Sequence, residues 1–114
     1  MNPKKGYRYE GEWLNKNYHG RGQETFYKIG SRYIGNFVHG KKQGQGRFEF
    51  SDGSFYEGQF LEGLFHGQGT YFFKDDNKTY IGDFNNGKID GKGREVWGNG
   101  VEYVGDFKNG QKHG

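Results

Sequence analysis

The sequence predicts an all-β protein, an elongated single-layer, twisted antiparallel sheet of stacked β-hairpin repeats. A Tyr-x-Gly-x-aromatic motif recurs five times, at Tyr9, Tyr33, Tyr56, Tyr80 and Tyr103, with periods of 24, 23, 24 and 23 residues. Such a fixed period indicates small units that each contact only their neighbours. Composition agrees, because 23 glycines and no alanine disfavour helices, whereas an aromatic content of 19% suits strands.

The third unit shows how one repeat is expected to fold. Tyr56, Gly58 and Phe60 are spaced two residues apart, so they share one face of a first strand. A turn is predicted over residues 62–65, and a second strand with the same alternation follows over residues 67–73. The glycines of adjacent strands should leave room for the flat aromatic rings to lie along the sheet.

Consecutive hairpins should extend one sheet, because each unit ends in a turn that returns the chain to a new first strand. We expect residues 1–8 to be a lead-in and residues 9–114 to form the repeat domain, with units 9–32, 33–55, 56–79, 80–102 and a partial unit 103–114. With strands about 4.8 Å apart, the ribbon should be about 40–45 Å long.

These repeated residues resemble the MORN repeat (membrane occupation and recognition nexus), whose pattern runs Tyr-x-Gly-x-Phe-x-x-Gly-x-x-His-Gly-x-Gly. The third unit matches it throughout, at Tyr56, Gly58, Phe60, Gly63, His66, Gly67 and Gly69. Departures are Trp13 in place of Phe, Lys16 in place of the loop glycine, and Gln43 and Asp90 in place of His. The resemblance implies scaffolding and protein–protein contact, often at membrane–cytoskeleton junctions, in cilia or flagella, and in cell-division structures.

Several protein classes are disfavoured by composition. The chain has no cysteine, so it has neither a disulfide framework nor thiolate chemistry, as expected in a reducing cytosol. No apolar stretch approaches membrane-span length, and residues 1–5 lack the apolar core of a signal peptide. The net charge of +3 is interleaved along the chain, so nucleic-acid binding is not expected. We expect a cytoplasmic protein, and the resemblance adds an association with the cytoskeleton or a cilium.

No catalytic, cofactor-binding or metal-binding residue is predicted. His19, His66 and His113 recur about 20 Å apart, too far to share one zinc ion, and His39 holds a different loop position. We interpret these histidines as turn residues whose side chains form local hydrogen bonds. The Gly-x-Gly pairs complete no phosphate-binding loop. A column of acids and amides, which contains Glu12, Asn36, Gln59, Asp83 and Asp106, is interpreted as a solvated polar face.

Two interaction hypotheses remain open. The first is a partner-binding aromatic groove for a helix or an extended protein segment, formed by Tyr9, Trp13, Tyr33, Phe37, Tyr56, Phe60, Tyr80, Phe84, Tyr103 and Phe107. The second is a membrane tether that binds acidic phospholipids through basic side chains, with Lys41, Lys42, Lys88 and Lys92 as candidate contacts. A regulatory module of a larger enzyme is a third possibility.

Self-association is also predicted at the C-terminal edge of the sheet. The strand over residues 103–107 is expected to lack its hairpin mate, and an unpaired strand edge can pair with another chain.

Overall fold

A computed structural model describes residues 6–113, and within them the predicted antiparallel sheet of hairpins is confirmed. Ten strands form one open sheet in chain order, each antiparallel to its neighbours. The strands are β1 Tyr7–Leu14, β2 Asn17–Phe26, β3 Ser31–Val38, β4 Lys41–Glu49, β5 Phe55–Leu61, β6 Leu64–Phe73, β7 Lys78–Asn85, β8 Lys88–Trp97, β9 Glu102–Lys108 and β10 Gln111–His113. The Cα atoms span 46 × 24 × 18 Å, close to the predicted length.

Each hairpin turns through two residues with positive φ. Glu62 (51°) and Gly63 (85°) form the turn of the third repeat, and Lys16 (69°) holds the glycine position in the first. Two left-handed residues make a type I′ turn, whose twist matches that of the flanking strands. The four-residue turn predicted over residues 62–65 is therefore wrong, because Leu64 already begins β6.

A bulge interrupts the four hairpins from β1–β2 to β7–β8 directly after a glycine pair. In the third hairpin Gly58 faces Gly69 and Phe60 faces Phe65, so Gln59 alone lies opposite residues 66–68. The same one-against-three arrangement occurs after Gly11, Gly35 and Gly82. Such bulges locally break the hydrogen-bond ladder, bend the strand and increase its twist.

The bulge is bridged by the first tyrosine of the repeat. The Tyr56 hydroxyl donates to the Gln59 backbone carbonyl at 2.6 Å, and Tyr9, Tyr33, Tyr80 and Tyr103 make the equivalent bond at 2.5, 2.7, 2.8 and 3.3 Å. To reach it, the ring lies flat over the second-strand glycine. A Cβ atom added to Gly69 would come 2.5 Å from Tyr56 Cε1. The predicted packing of rings on glycines is thus confirmed.

The core is a continuous ladder of rings that runs along the sheet. The first-strand tyrosine packs edge-to-face against the aromatic residue of its own repeat and against that of the next. Tyr56 thus meets Phe60 at 5.2 Å and Phe84 at 4.9 Å between ring centroids. Edge-to-face pairs contribute about 0.5–1.5 kcal/mol each beyond burial. A single-layer sheet therefore obtains its core from contacts between neighbouring repeats.

Neighbouring repeats are also joined by their turns. The backbone N–H of the turn glycine donates to a carbonyl of the preceding repeat, as in Gly63 to Lys42 at 3.0 Å and Gly87 to Phe65 at 2.9 Å. These bonds align the turns along one edge of the sheet and fix the spacing of the side chains that follow them.

The C-terminal edge corrects one expectation. β9 does have a hairpin mate, because Gln111–His113 pairs with Lys108, Phe107 and Asp106. This mate covers only the turn end of β9. Self-association through that edge stays a prediction.

Candidate interaction face

The two faces of the sheet differ in chemistry. One, here called the aromatic face, carries the tyrosine ladder. The other, here called the polar face, carries ion pairs such as Arg32–Glu49 (2.5 Å) and Arg94–Glu102 (2.7 Å). Such exposed pairs contribute little to stability. The polar face also exposes apolar side chains such as Ile81 and Val104, whereas the rings of the aromatic face pack against one another along the sheet.

The structure places most of the predicted groove residues in the core rather than on a free surface. Eight of the ten are buried, namely Tyr9, Tyr33, Phe37, Tyr56, Phe60, Tyr80, Phe84 and Phe107. Trp13 is 53% exposed and Tyr103 is half-buried. The ten rings therefore form a floor, because each tyrosine is held down by its hydroxyl bond and by neighbouring rings. Contact with a partner remains a prediction, and it has to involve the side chains above that floor.

A second layer of side chains covers the tyrosines. The covering residue lies two positions after each turn and is Tyr18, Lys42, Phe65, Ile89 or Lys112. Tyr18 stacks on Tyr9 at 3.7 Å and Phe65 on Tyr56 at 4.0 Å, whereas Lys42 places its ammonium group 5.5 Å from the Tyr33 ring centroid. The motif did not reveal this layer, because the residue type changes from repeat to repeat.

The middle of the aromatic face is an apolar surface with two adjoining shallow hollows of about 240 and 380 Å³. We call it the apolar centre, and it consists of Phe48, Phe50, Phe65, Tyr71, Phe73 and Ile89. All six are half-buried. Leu64 also borders the first hollow, but it pairs with Leu61 in register, so its side chain belongs to the opposite face. Phe65 and Gly87 line both hollows, which makes them one continuous depression across the central repeats.

Glutamate–lysine bridges close both ends of the apolar centre. At one end Glu24 lies 3.7 Å from Lys42, and at the other Glu95 lies 3.4 Å from both Lys78 and Lys112. Glu24 and Glu95 stand at the same repeat position, where the central repeats carry Phe48 and Tyr71. Charge therefore borders the middle of the aromatic face on both sides, and Trp13 and Tyr18 form a separate aromatic pair in the first repeat.

Burial shifts the protonation of groups on this face. Desolvation raises the pKa of Glu24, and the charge of Lys42 opposes that rise. Desolvation also raises the pKa of Tyr56 and of Tyr80 to about 12. Both phenols therefore remain neutral near neutral pH and keep the proton that they donate across the bulge.

Comparison with known families agrees with this geometry. The chain matches the MORN repeat over residues 9–28, 33–55, 56–78, 80–102 and 103–114. It belongs to the MORN-repeat family. The MORN repeat is a non-enzymatic module that generally mediates interactions with proteins or membranes. None of the curated proteins compared with the chain matches it.

The lysines proposed for lipid contact are largely engaged with carboxylates of this MORN sheet. Lys41 pairs with Glu62 at 3.1 Å, and Lys42 with Glu24. Lys92 pairs with Asp106 at 2.5 Å on the polar face. Lys88 is exposed and lines the second hollow. The four lysines thus do not share one surface, and lipid contact remains a prediction.

The histidine interpretation requires a correction. His19 and His66 lie in β2 and β6, within the bulges, and the buried Nδ1 atom of each has no hydrogen-bond partner. They are therefore not turn residues with local side-chain bonds. His39 does occupy a turn, with φ of 50°. The side chain of His113 lies outside the described residues.

The acid and amide column is more than a solvated face. Glu12, Gln59 and Asp83 each accept a backbone N–H from the third bulge residue, at 3.0, 3.1 and 3.0 Å. Among residues 6–113, no group of three or more His, Cys, Asp or Glu could hold a metal ion. That part of the chain also contains no helix with the length and apolarity to span a membrane.

Proposed function

We propose that this chain is a non-catalytic interaction scaffold whose apolar centre holds a segment of a partner protein. The observation that carries the proposal is the continuous depression across the central repeats, with its half-buried rings and Ile89. A contiguous exposed apolar patch with a polar border is the usual mark of an interaction site. The charged bridges at both ends supply that border.

Energetics favour a partner that covers most of this patch. Association costs at least about 4 kcal/mol in lost freedom of movement. Covering an apolar side chain contributes up to about 1.5–3 kcal/mol, and less where the side chain is already half-buried. Several side chains of the apolar centre must be covered together, so a partner segment has to cross more than one repeat.

The proposal extends to cellular location. The range of roles associated with the family supports a cytoplasmic scaffold within a cytoskeletal, ciliary or flagellar assembly. A chain that joins such structures needs a stiff, elongated shape more than an enclosed pocket, and the 46 Å sheet supplies that shape. Immunolocalisation in the native cell tests this part, and uniform staining through the cytosol would contradict it.

The acidic-lipid alternative predicts a different result in a vesicle assay. Lys41, Lys42 and Lys92 would have to exchange carboxylate partners for lipid phosphates, which reduces the gain from each contact. We expect equal co-sedimentation with neutral and with acidic vesicles. Salt-sensitive binding to acidic vesicles alone would instead favour the membrane tether.

Affinity capture from the native cell tests the scaffold directly. Phe50→Glu places a charge in the apolar centre, and Phe50 lies between β4 and β5 and outside the buried core, so folding should be preserved. Ile81→Glu is the matched control, because Ile81 is 44% exposed and lies on the polar face. We expect Phe50→Glu to lose the partner and Ile81→Glu to retain it. Equal recovery with both variants at equal stability would contradict the proposed site.

A further inference from the structure

Resting on the proposed function, we infer that the segment held by the apolar centre carries a trimethylated lysine. Its quaternary ammonium group enters a cage formed by Phe73, Trp97 and Glu95, which the protein's own Lys78 fills in this structure. Three observations lead to this ligand: the chemistry of the cage, the second cation beside Glu95, and the contact between the cage and the apolar centre.

The cage combines two aromatic rings with a buried carboxylate. The ammonium nitrogen of Lys78 lies 4.9 Å from the Phe73 ring centroid and 4.8 Å from the Trp97 ring centroid. It lies 3.4 Å from Glu95 Oε2, and the Glu95 side chain is only 8% exposed. The Trp97 indole N–H donates to Glu95 Oε1 at 3.1 Å, which holds ring and carboxylate together. Aromatic rings around a cation are the usual recognition site for quaternary ammonium groups, because ring faces are negative.

The spacing of the cage suits a methylated nitrogen. A methyl carbon packs on a ring at about 3.5–4.0 Å and is bonded to its nitrogen at about 1.5 Å. A nitrogen 4.8–4.9 Å from the ring centroids therefore has room for a methyl group towards each ring. A primary ammonium leaves that room unfilled, whereas a trimethylammonium group fills it and needs no hydrogen-bond acceptor.

Lys78 can leave the cage without stranding a buried charge. Glu95 is also paired with Lys112, whose ammonium lies 3.4 Å from Oε1. Lys78 begins β7 directly after the exposed turn residues 74–77, so rotation of its side chain brings the ammonium into water. The carboxylate then keeps one cation and accepts a second from the ligand.

The other lysine of the aromatic face lacks this freedom. Lys42 lies 5.5–5.8 Å from the centroids of three rings and 3.7 Å from Glu24. Within residues 6–113, Glu24 has no second ion pair, and its side chain is 13% exposed. Release of Lys42 would therefore leave a largely buried carboxylate unpaired, which is costly. Only the cage at Lys78 is suited to exchange its cation.

Competition with Lys78 selects the chemistry of the incoming cation. Lys78 is tethered beside the cage and competes at a high effective concentration. An unmodified lysine of a partner offers the same group and gains nothing by the exchange. A trimethylated lysine does gain, because a primary ammonium is the more strongly hydrated cation and because the added methyl groups contact the rings.

The cage adjoins the proposed partner site. Phe73 lines the second hollow of the apolar centre and is also one wall of the cage. A segment that lies in the depression can therefore place one side chain in the cage. A choline lipid headgroup carries the same cation, but the shared Phe73 wall favours a protein segment.

Titration with the small probe N-acetyl-Nε-trimethyl-lysine amide, followed by tryptophan fluorescence and NMR, tests the cage. We expect the wild-type chain to bind the probe, and Lys78→Ala to bind it at least tenfold more tightly because the competing ammonium is gone. Unmodified N-acetyl-lysine amide should bind at least tenfold more weakly than the probe. The neutral isostere, in which carbon replaces the quaternary nitrogen, should not bind measurably.

Three further variants locate the binding. In the Lys78→Ala background, Trp97→Leu should lower the affinity for the probe at least tenfold, because it keeps an apolar side chain but removes the ring. Lys108→Ala is the matched control for Lys78→Ala, because Lys108 is exposed and is not part of the cage, and it should bind the probe as the wild type does. Phe50→Glu should also leave probe binding unchanged.

Several results would overturn the inference. These are equal binding of the probe and its neutral isostere, no probe binding by Lys78→Ala, and no measurable binding by the wild type. Trp97-dependent co-sedimentation with phosphatidylcholine vesicles, without binding of the probe, would assign the cage to a lipid instead. Mass spectrometry of a partner captured from the native cell should find a trimethylated lysine, and its absence would also overturn the inference.

The outcomes separate this inference from the proposed function. If Phe50→Glu loses the partner but no variant binds the probe, the scaffold stands and the cage is wrong. If the probe binds as expected but Phe50→Glu retains the partner, the cage stands and the apolar centre is wrong as the partner site.

Discussion

Gly69→Ala tests the packing on which the whole sheet depends. Gly69 has an ordinary backbone conformation, so alanine adds no conformational strain, but its Cβ would lie 2.5 Å from Tyr56 Cε1. The ring cannot retreat without breaking its 2.6 Å bond to the Gln59 carbonyl and its 4.0 Å stacking on Phe65. A hydrogen bond contributes about 1 kcal/mol and an aromatic pair about 0.5–1.5 kcal/mol. With two edge-to-face contacts also disturbed, we expect a loss of about 3–4 kcal/mol.

Urea unfolding followed by circular dichroism measures this loss. Gly63→Ala is the matched control, because Gly63 has a φ of 85° and no atom within 4 Å of the added Cβ. Its cost is that of a left-handed alanine, about 1–2 kcal/mol. In a Tyr56→Ala background, Gly69→Ala should cost less than about 1 kcal/mol. Equal costs for Gly69→Ala and Gly63→Ala, or no coupling to Tyr56, would refute the proposed packing.

Three further outcomes follow from the same geometry. Lys16→Gly should raise the free energy of unfolding by about 0.5–1 kcal/mol, because lysine occupies a left-handed turn position. The urea midpoint should rise accordingly, and an unchanged midpoint would count against strain there. Gln59→Ala should lower the free energy of unfolding by about 1 kcal/mol, because the Gln68 N–H in the bulge loses its acceptor. Glu57→Ala, the control on the same strand, should be near neutral. Equal effects of the two variants would contradict the acceptor role. Burial raises the folded-state pKa of Tyr56 and of Tyr80 to about 12. Their contribution to the free energy of unfolding should therefore be complete below pH 10 and fall as the pH rises towards 12. A spectroscopic titration in which all tyrosines ionise near pH 10 would contradict this burial.

The fold was predictable because its determinants repeat. Tyrosine, glycine and phenylalanine at alternate positions indicate strands, and their fixed period indicates stacked hairpins. The bulge was not predictable from the motif, because one-against-three pairing depends on the register between strands. For the same reason the roles of Gln59 and Asp83 as bulge acceptors appear only in the structure.

The candidate site was predictable only in part. The repeated rings indicated an aromatic face, yet the residues that repeat most strictly are buried in contacts between neighbouring repeats. The side chains left for a partner, such as Phe65 and Ile89, stand at positions where residue type varies between repeats. The strictly repeated residues therefore predict the buried rings of the core but not the side chains that cover them.

Site-specific photo-cross-linking in the native cell measures most directly whether a partner lies on the apolar centre. A benzoylphenylalanine residue introduced at position 50 replaces a ring that lines the depression, and one at position 81 lies on the polar face. We predict a discrete protein adduct from position 50 and none from position 81. An adduct from position 81 with none from position 50 would contradict the assignment of this face as the binding surface.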